Sequence, residues 1–215
     1  ELLDSVGYTH NLYGKRILEN SCGDGNILVA VVQRYIDDCR ENGMSRTKIK
    51  NGLAKDIYGI EIDKEQYEKC INNLNDVLKR NNIGNVDWKI VNEDYLKWNS
   101  ITKFQYIVGN PPYITYSELK EEEQLFVKGN FETCVKGKFD YCYAFIEKSI
   151  KSLANDGKMS YLIPSSIYKT VFGNNLRTFM CPYITKIKDY KQVKIFDKAL
   201  VKSSIMVLDK QRQND

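Results

Sequence analysis

Histidine occurs once in the 215 residues, at His10, and the six cysteines (Cys22, Cys39, Cys70, Cys134, Cys142 and Cys181) are widely scattered with no CxxC pair. That scarcity argues against a zinc site and against a disulfide scaffold in a chain this long, and it fits a reducing cytoplasm. The longest strongly apolar run, Ile27 to Val32, is far below the roughly 18 residues a membrane span needs. The N-terminus carries no signal segment, and the chain opens at Glu1 rather than Met, as an excised piece of a longer protein would. Charge is nearly balanced: 32 Lys+Arg against 28 Asp+Glu leave +4, which permits nucleic-acid binding without demanding it. Six lysines against two aspartates between Lys186 and Lys202 place any polyanion surface toward the C-terminal end.

Short apolar strands alternate with helical stretches. Strands are expected at Arg16–Asn20, Ile57–Ile62, Val86–Val91, Phe104–Val108, Lys158–Ile163 and Ile184–Tyr190, with a last pair at Val193–Phe196 and Ser203–Leu208. Helices are expected from Asn26, where Leu28, Val32, Tyr35 and Cys39 recur at helical spacing, and after Asp63, an N-cap with Gln66 three residues on. Further helices are expected around Tyr141–Leu153 and within Pro164–Met180. The stretch from Asn42 to Asp56 reads as a polar loop, and Ile114–Lys138 as a long insertion of the kind that forms a lid or mobile loop. The alternation predicts an α/β domain with a mostly parallel, doubly wound sheet, in which ligands bind beyond the carboxyl ends of the strands.

The residues that follow each strand carry the chemistry. The first loop, Glu19-Asn20-Ser21-Cys22-Gly23-Asp24-Gly25, has two glycines that let backbone approach a ligand, but it lacks the third glycine of the dinucleotide fingerprint. Its carboxylate suits a cationic ligand; a tight strand–helix turn explains the loop equally well. Glu61 stands where an acid can accept both hydroxyls of a ribose, and Asp94, after the third strand, can accept from an adenine amino group. Asn110-Pro111-Pro112-Tyr113 ends the fourth strand, and two prolines there cannot continue a central ladder. They fix the Asn110 side chain and the Pro111 carbonyl as two acceptors for the two protons of one amino group. That geometry favours a pyramidal nitrogen whose lone pair can attack. Tyr113 offers a ring face for a planar substrate.

Leu18-Glu19-Asn20-Ser21-Cys22-Gly23-Asp24-Gly25, Gly59-Ile60-Glu61-Ile62-Asp63, Glu93-Asp94-Tyr95-Leu96 and Asn110-Pro111-Pro112-Tyr113, in this order and spacing, resemble the gamma class of DNA adenine-N6 methyltransferases, which includes the methylase parts of type II restriction–modification systems and of fused restriction–methylation enzymes. The resemblance runs from about Tyr8 to Leu208. It implies the Rossmann-like fold of S-adenosylmethionine-dependent methyltransferases, with seven strands in one catalytic domain over 1–215. It also implies that Thr9, Glu19, Ser21, Cys22 and Gly23 hold the methionine part of S-adenosyl-L-methionine, that Glu61 binds its ribose, that Ile62 packs on its adenine, and that Asp94 accepts from the adenine amino group. Asn110 and Pro111 then bind the target amine beside the cofactor, and Tyr113 and Phe196 stack on an adenine flipped out of DNA. No metal and no covalent intermediate are implied. A cytosine-C5 enzyme would need Pro-Cys at the fourth strand, where Asn110-Pro111-Pro112 stands. The chain departs from the family at Tyr8-Thr9-His10, which usually reads Tyr-Thr-Pro, and at Asn20, where proline is usual. The family's target-recognition domain is expected elsewhere in the parent chain or in a separate subunit. A protein-glutamine or RNA-base methyltransferase, and a non-catalytic module, share parts of this pattern.

Overall fold

The computed structural model describes residues 1–190 and 203–214, which group into two compact units, Glu1–Gly109 and Asn110–Asp215. In the first unit a short helix α1 (Leu2–Ser5) precedes β1 (Ile17–Glu19), α2 (Asn26–Glu41), α3 (Arg46–Asp56), β2 (Ile57–Ile60), α4 (Lys64–Arg80), β3 (Lys89–Val91) and β4 (Phe104–Gly109). The strands lie parallel in the order β3-β2-β1-β4, with Leu18 opposite Tyr58 on one side and Ile107 on the other. Every residue of β1 and β2 is buried, as expected of parallel strands covered on both faces.

Local sequence explains the helices of this unit. Gly25, at φ 87°, is the N-cap of α2, whose buried stripe is Leu28, Val31, Val32, Tyr35, Ile36 and Cys39. The Asp63 side chain accepts the Gln66 N–H at 2.9 Å and starts α4. The polar loop expected from Asn42 to Asp56 is instead largely helix α3. Ser45 caps it by accepting the Lys48 N–H, and Ile49 and Leu53, one turn apart, are buried. Asp56 at its end is buried too, and accepts from the Tyr35 hydroxyl at 2.6 Å and from the Gly14 N–H at 2.7 Å. Lysines on the outer face masked this short apolar stripe in the sequence. The third strand is also shorter than expected, Lys89–Val91.

The second unit holds α5 (Glu121–Asn130), α6 (Cys142–Ser152), β5 (Leu153–Pro164), α7 (Asn174–Met180), β6 (Ile184–Asp189) and β7 (Ser203–Asp209). Its strands are antiparallel in the order β5-β7-β6, and β7 pairs on both sides. β5 starts at Leu153, directly after α6, and takes in Asn155-Asp156-Gly157. The expected strand Val193–Phe196 falls outside the described residues, and with it Phe196.

The insertion expected as a lid from Ile114 to Lys138 is packed structure. Three glutamates open α5, where the helix dipole favours them, and Val127, Phe131, Thr133 and Cys134 are buried. Glu147, fully buried on α6, accepts the N–H groups of Glu132 and Thr133 and pairs with Lys151 at 2.6 Å. A buried carboxylate tied to backbone in this way holds the insertion down. Across the described residues seven of the eight expected strands and the α/β class are present, and no helix is long and apolar enough to cross a membrane.

Candidate active site

In the first unit the loops that follow β1, β2 and β3 are sewn to one another. The Cys22 N–H donates to the Ile60 carbonyl at 3.0 Å, and the Gly23 N–H donates to Glu61 Oε2 at 2.7 Å. Glu61 Oε1 accepts the Asp63 N–H at 2.8 Å. The Asn92 amide then donates to the carbonyls of both Glu61 and Ile62, at 2.8 and 3.0 Å. Glu61 is therefore held by backbone on both oxygens, and the three loops form one surface at the strand ends.

Glu19 differs from Glu61. It is 2% exposed, one side of its carboxyl accepts the Leu28 N–H in the first turn of α2, and Oε2 has no hydrogen-bond partner among the described residues. Burial holds its pKa well above the ordinary carboxylate value, and Cys70, Glu61 and Asp24 push the same way. An orphaned buried acceptor among other acids is costly until a cation or donor reaches it.

Gly23 sits at φ +53° with open space where a side chain would project. Gly25, at φ +87°, leaves no such room: a Cβ there would come within 2.7 Å of Cys70 Sγ. Cys22 Sγ is hydrogen-bonded with Cys70, and burial raises its pKa further, so it is a packed thiol and not a thiolate. Asn73 on α4 anchors the loop by donating to the Asp24 carbonyl at 2.8 Å. Ser21 is half-buried in the same loop.

Ile62 is 70% exposed beside Glu61, an apolar side chain open at a strand end. Asp94 accepts the Leu96 N–H at 2.9 Å and lies 3.7 Å from the Lys97 ammonium. Thr9 stands apart from this group. It is exposed, its hydroxyl engages the Gly7 carbonyl and His10 Nδ1, and it lines a hollow along α2 with Ala30, Gln33, Arg34 and Asp37. Sequence reasoning missed Asn92, Asn73 and Cys70; each acts through a contact distant in sequence that no local spacing announces.

The second unit opens with the Asn-Pro-Pro-Tyr loop. Asn110 is half-buried and Pro111 buried. The single hydroxyl hydrogen of Tyr113 is shared between Asn110 Oδ1 at 2.5 Å and the Leu162 carbonyl of β5 at 2.8 Å. The Asn110 amide is thus pinned by the ring that follows it, and the ring by β5. Burial raises the Tyr113 pKa, so the hydroxyl stays a donor. The far end of the loop is braced as well, because the Tyr141 N–H donates to the Ile114 carbonyl at 2.9 Å and Thr115 forms a bridge with Asp140.

Residues 11–196 match the pattern of the family described as Eco57I restriction-modification methylase. The chain belongs to that family. Among curated proteins it is 30% identical over 191 residues to the type II methyltransferase M.BstVI of Geobacillus stearothermophilus, spanning 83% of this chain and 34% of that protein. It is 31% identical over 177 residues to the modification methylase CviBIII of Paramecium bursaria Chlorella virus NC1A, spanning 82% and 38%. The chain therefore spans about a third of the length of these relatives.

Solved structures share the fold. A class I S-adenosylmethionine-dependent methyltransferase of Listeria monocytogenes superposes with TM-score 0.68 at 18% identity, over 97% of this chain and 57% of that one. The Type ISP restriction–modification enzyme LlaGI, bound to a DNA substrate mimic, gives 0.77 at 16% identity, over 97% and 22%. The α/β methyltransferase fold expected from the strand-end motifs is the one observed. For S-adenosylmethionine the residues of this family member fit: an orphaned buried acceptor at Glu19 for an ammonium, space beside Gly23, and exposed apolar Ile62 for a ring.

Proposed function

We propose that this chain is the catalytic domain of a DNA methyltransferase that transfers the methyl group of S-adenosylmethionine to the N6 amino group of adenine. It acts in the cytoplasm as part of a restriction–modification system, with target recognition supplied by a part of the parent protein or a subunit outside these residues. The observation that carries the reading is the Asn-Pro-Pro-Tyr loop at the end of β4, with the Asn110 amide oxygen held at 2.5 Å from the Tyr113 hydroxyl. Membership of the methylase family supports the reaction class. The loop's chemistry supports methylation of an amino group, and the adenine-N6 choice follows from the resemblance of the strand-end motifs to that class.

The cofactor, when bound, supplies an electrophilic methyl group on a sulfonium. Glu19 would take its ammonium at the open oxygen, and Ser21, Cys22 and Gly23 would line the remainder of the methionine part, whereas Thr9, in the hollow along α2, takes no part. Glu61, fixed by two backbone N–H groups, accepts from the ribose hydroxyls. Ile62 covers one face of the adenine, and Asp94 accepts from its amino group.

On the substrate side, the Asn110 amide oxygen and the Pro111 carbonyl accept the two N6 protons. With both protons held in this way, the nitrogen's lone pair would leave conjugation with the ring and be free to attack a methyl group. Because loop and amide are fixed beforehand, little reorganisation is needed as charge develops. Pro112 holds the turn, and Tyr113 stacks on the extruded base, with Phe196 assigned to a second face. Stacking and hydrogen bonds offset the few kcal/mol that flipping costs.

The test is transfer of radiolabel from S-adenosylmethionine by the full-length protein, with nuclease and protease digestion of the product. Label is expected in N6-methyladenine of DNA, and Asn110→Ala should lower kcat by about 10²- to 10³-fold, the usual cost of losing one transition-state hydrogen-bond partner, with cofactor affinity within a few-fold of wild type. Label in protein glutamine or RNA, or undiminished transfer by the variant, would refute the assignment.

A further inference from the structure

The second unit carries a hollow of about 260 Å³ that none of the roles above uses. Thr115, Ser117, Ser166 and Thr170 bring hydroxyls to its lining and Lys138 brings an ammonium. Asp140, the acid in this lining, is half-buried and accepts the Cys142 N–H, and burial raises its pKa.

Two segments form the rim side by side, the turn 135–139 and the short helical turn Val171–Gly173. Gly137 presses on Phe172 so closely that a Cβ would come within 2.6 Å of the ring, and at φ +78° the position suits glycine twice over. Phe172 packs on Gly137 and is still 50% exposed, next to Val171 at 82%. Arg177 fixes the turn from below by donating to the carbonyls of Ile167 and Thr170.

The two rim segments carry positive charge only, while the hollow itself holds Asp140 and, bonded to the lining Thr115, Glu118. Residues 133–139 and 165–178 contain Lys136, Lys138, Lys169 and Arg177, and no Asp or Glu. The three lysines are exposed. An exposed aromatic and a valine ringed by lysines and hydroxyls match a ligand with anionic and flat apolar parts together, as a nucleic-acid strand has. An acidic protein surface would use the lysines and leave the ring without a purpose.

We infer that this hollow and its rim are a docking site for the DNA strand that carries the target base, with Lys136, Lys138 and Lys169 on its phosphates and Phe172 against a base face. The inference rests on the DNA-methyltransferase reading. Extruding one base leaves its neighbours each with an unstacked face, and an apolar ring at the protein surface can cover one of them. Phosphate contacts carry no sequence information, so this site sets affinity and register while recognition is done elsewhere.

The experiment measures binding of the full-length protein to a duplex it methylates, to a duplex it does not, and to RNA of the same sequence, across a salt series. In Lys138→Ala/Lys169→Ala the plot of log K against log salt is expected to flatten by about 1.8, at ~0.9 per phosphate contact, equally on both DNA duplexes. Arginine at both positions should restore the slope. Phe172→Ala should weaken DNA binding by about fivefold or more while leaving the slope unchanged, because the ring carries no charge. Cofactor affinity and melting temperature should stay at wild-type values in all three, which separates lost binding from lost folding. An unchanged slope and affinity in the lysine variant overturns the site, and leaves the methyltransferase reading standing if the wild-type protein still labels DNA. A loss confined to the methylated duplex would overturn the phosphate assignment. Label transferred to RNA or protein by the wild-type protein, or tighter binding to RNA, would sink this site and the DNA reading together.

Discussion

Glu19→Gln changes one atom of a buried side chain and sets stability against binding. The amide can keep the Leu28 N–H through its oxygen and places an NH₂ where the partnerless Oε2 now lies. Burial, with Cys70, Glu61 and Asp24 adding to it, holds the folded-state pKa of Glu19 above the unfolded value. The folded chain therefore binds this proton more tightly than the unfolded chain does. Folding is favoured at acid pH, and that contribution is lost as pH rises from the ordinary carboxylate range through the raised folded value. At alkaline pH the wild-type carboxylate is ionised at a cost the amide does not carry, so the unliganded variant should melt higher. Each 1 kcal/mol recovered is worth about 2–4 °C in a chain of this size.

Cofactor binding should move the opposite way. A hydrogen bond between an ammonium and a carboxylate is worth about 1.5–3 kcal/mol, so losing it should raise the cofactor Kd about 10- to 150-fold. Wild-type affinity should also fall about tenfold per pH unit below the folded pKa of Glu19, since the ligand takes the ionised form, while the variant should be flat. Thermal melts without ligand and calorimetric titrations across pH read both effects. A variant that melts lower and binds the cofactor as tightly as wild type would show that Glu19 merely caps α2.

Three further substitutions test the frame around the site. Gly25→Ala forces an L-residue to φ +87° and a Cβ to 2.7 Å from Cys70 Sγ, so thermal melts should show a loss of about 2–5 kcal/mol, part of it returned when Cys70 is also alanine. Equal losses in both backgrounds would disprove the steric account. Tyr113→Phe keeps the ring but frees the Asn110 amide and the Leu162 carbonyl; kcat should fall by up to about tenfold with cofactor affinity unchanged in titration. Leu53→Ala should cost about 2–5 kcal/mol in denaturant unfolding, because α3 is packed structure; a loss within error would return residues 46–56 to the loop read from the sequence.

The motifs at the strand ends were legible because each is short, contiguous and chemically specific. Asp63 with Gln66 marks the start of α4 from four residues, and the structure holds that bond at 2.9 Å. Gly25 marks a left-handed turn, and two prolines after β4 stop a ladder wherever they occur. Helix α3 was not legible, since its apolar stripe is only Ile49 and Leu53 among lysines, and Asp56 at its end looks solvated until Tyr35 and Gly14 are seen to meet it. The 114–138 stretch misled in the same way. Its polar residues are helix-end glutamates, and what ties it down is Glu147, more than ten residues away in sequence.

The order of strand-end chemistry was a property of the sequence alone: an acid with glycines, a second acid, a third, then an amide between a strand and two prolines. Backbone constraints at glycine and proline are local, so neighbouring residues suffice to declare them. Tertiary structure alone decided which acid is occupied. Glu61 is taken up by the amides of Gly23 and Asp63, whereas Glu19 lies buried beneath α2 with one oxygen still unmatched. The reason is physical: a carboxylate's reactivity follows from which donors reach it and how much water is excluded, and both come from chain segments that meet only on folding.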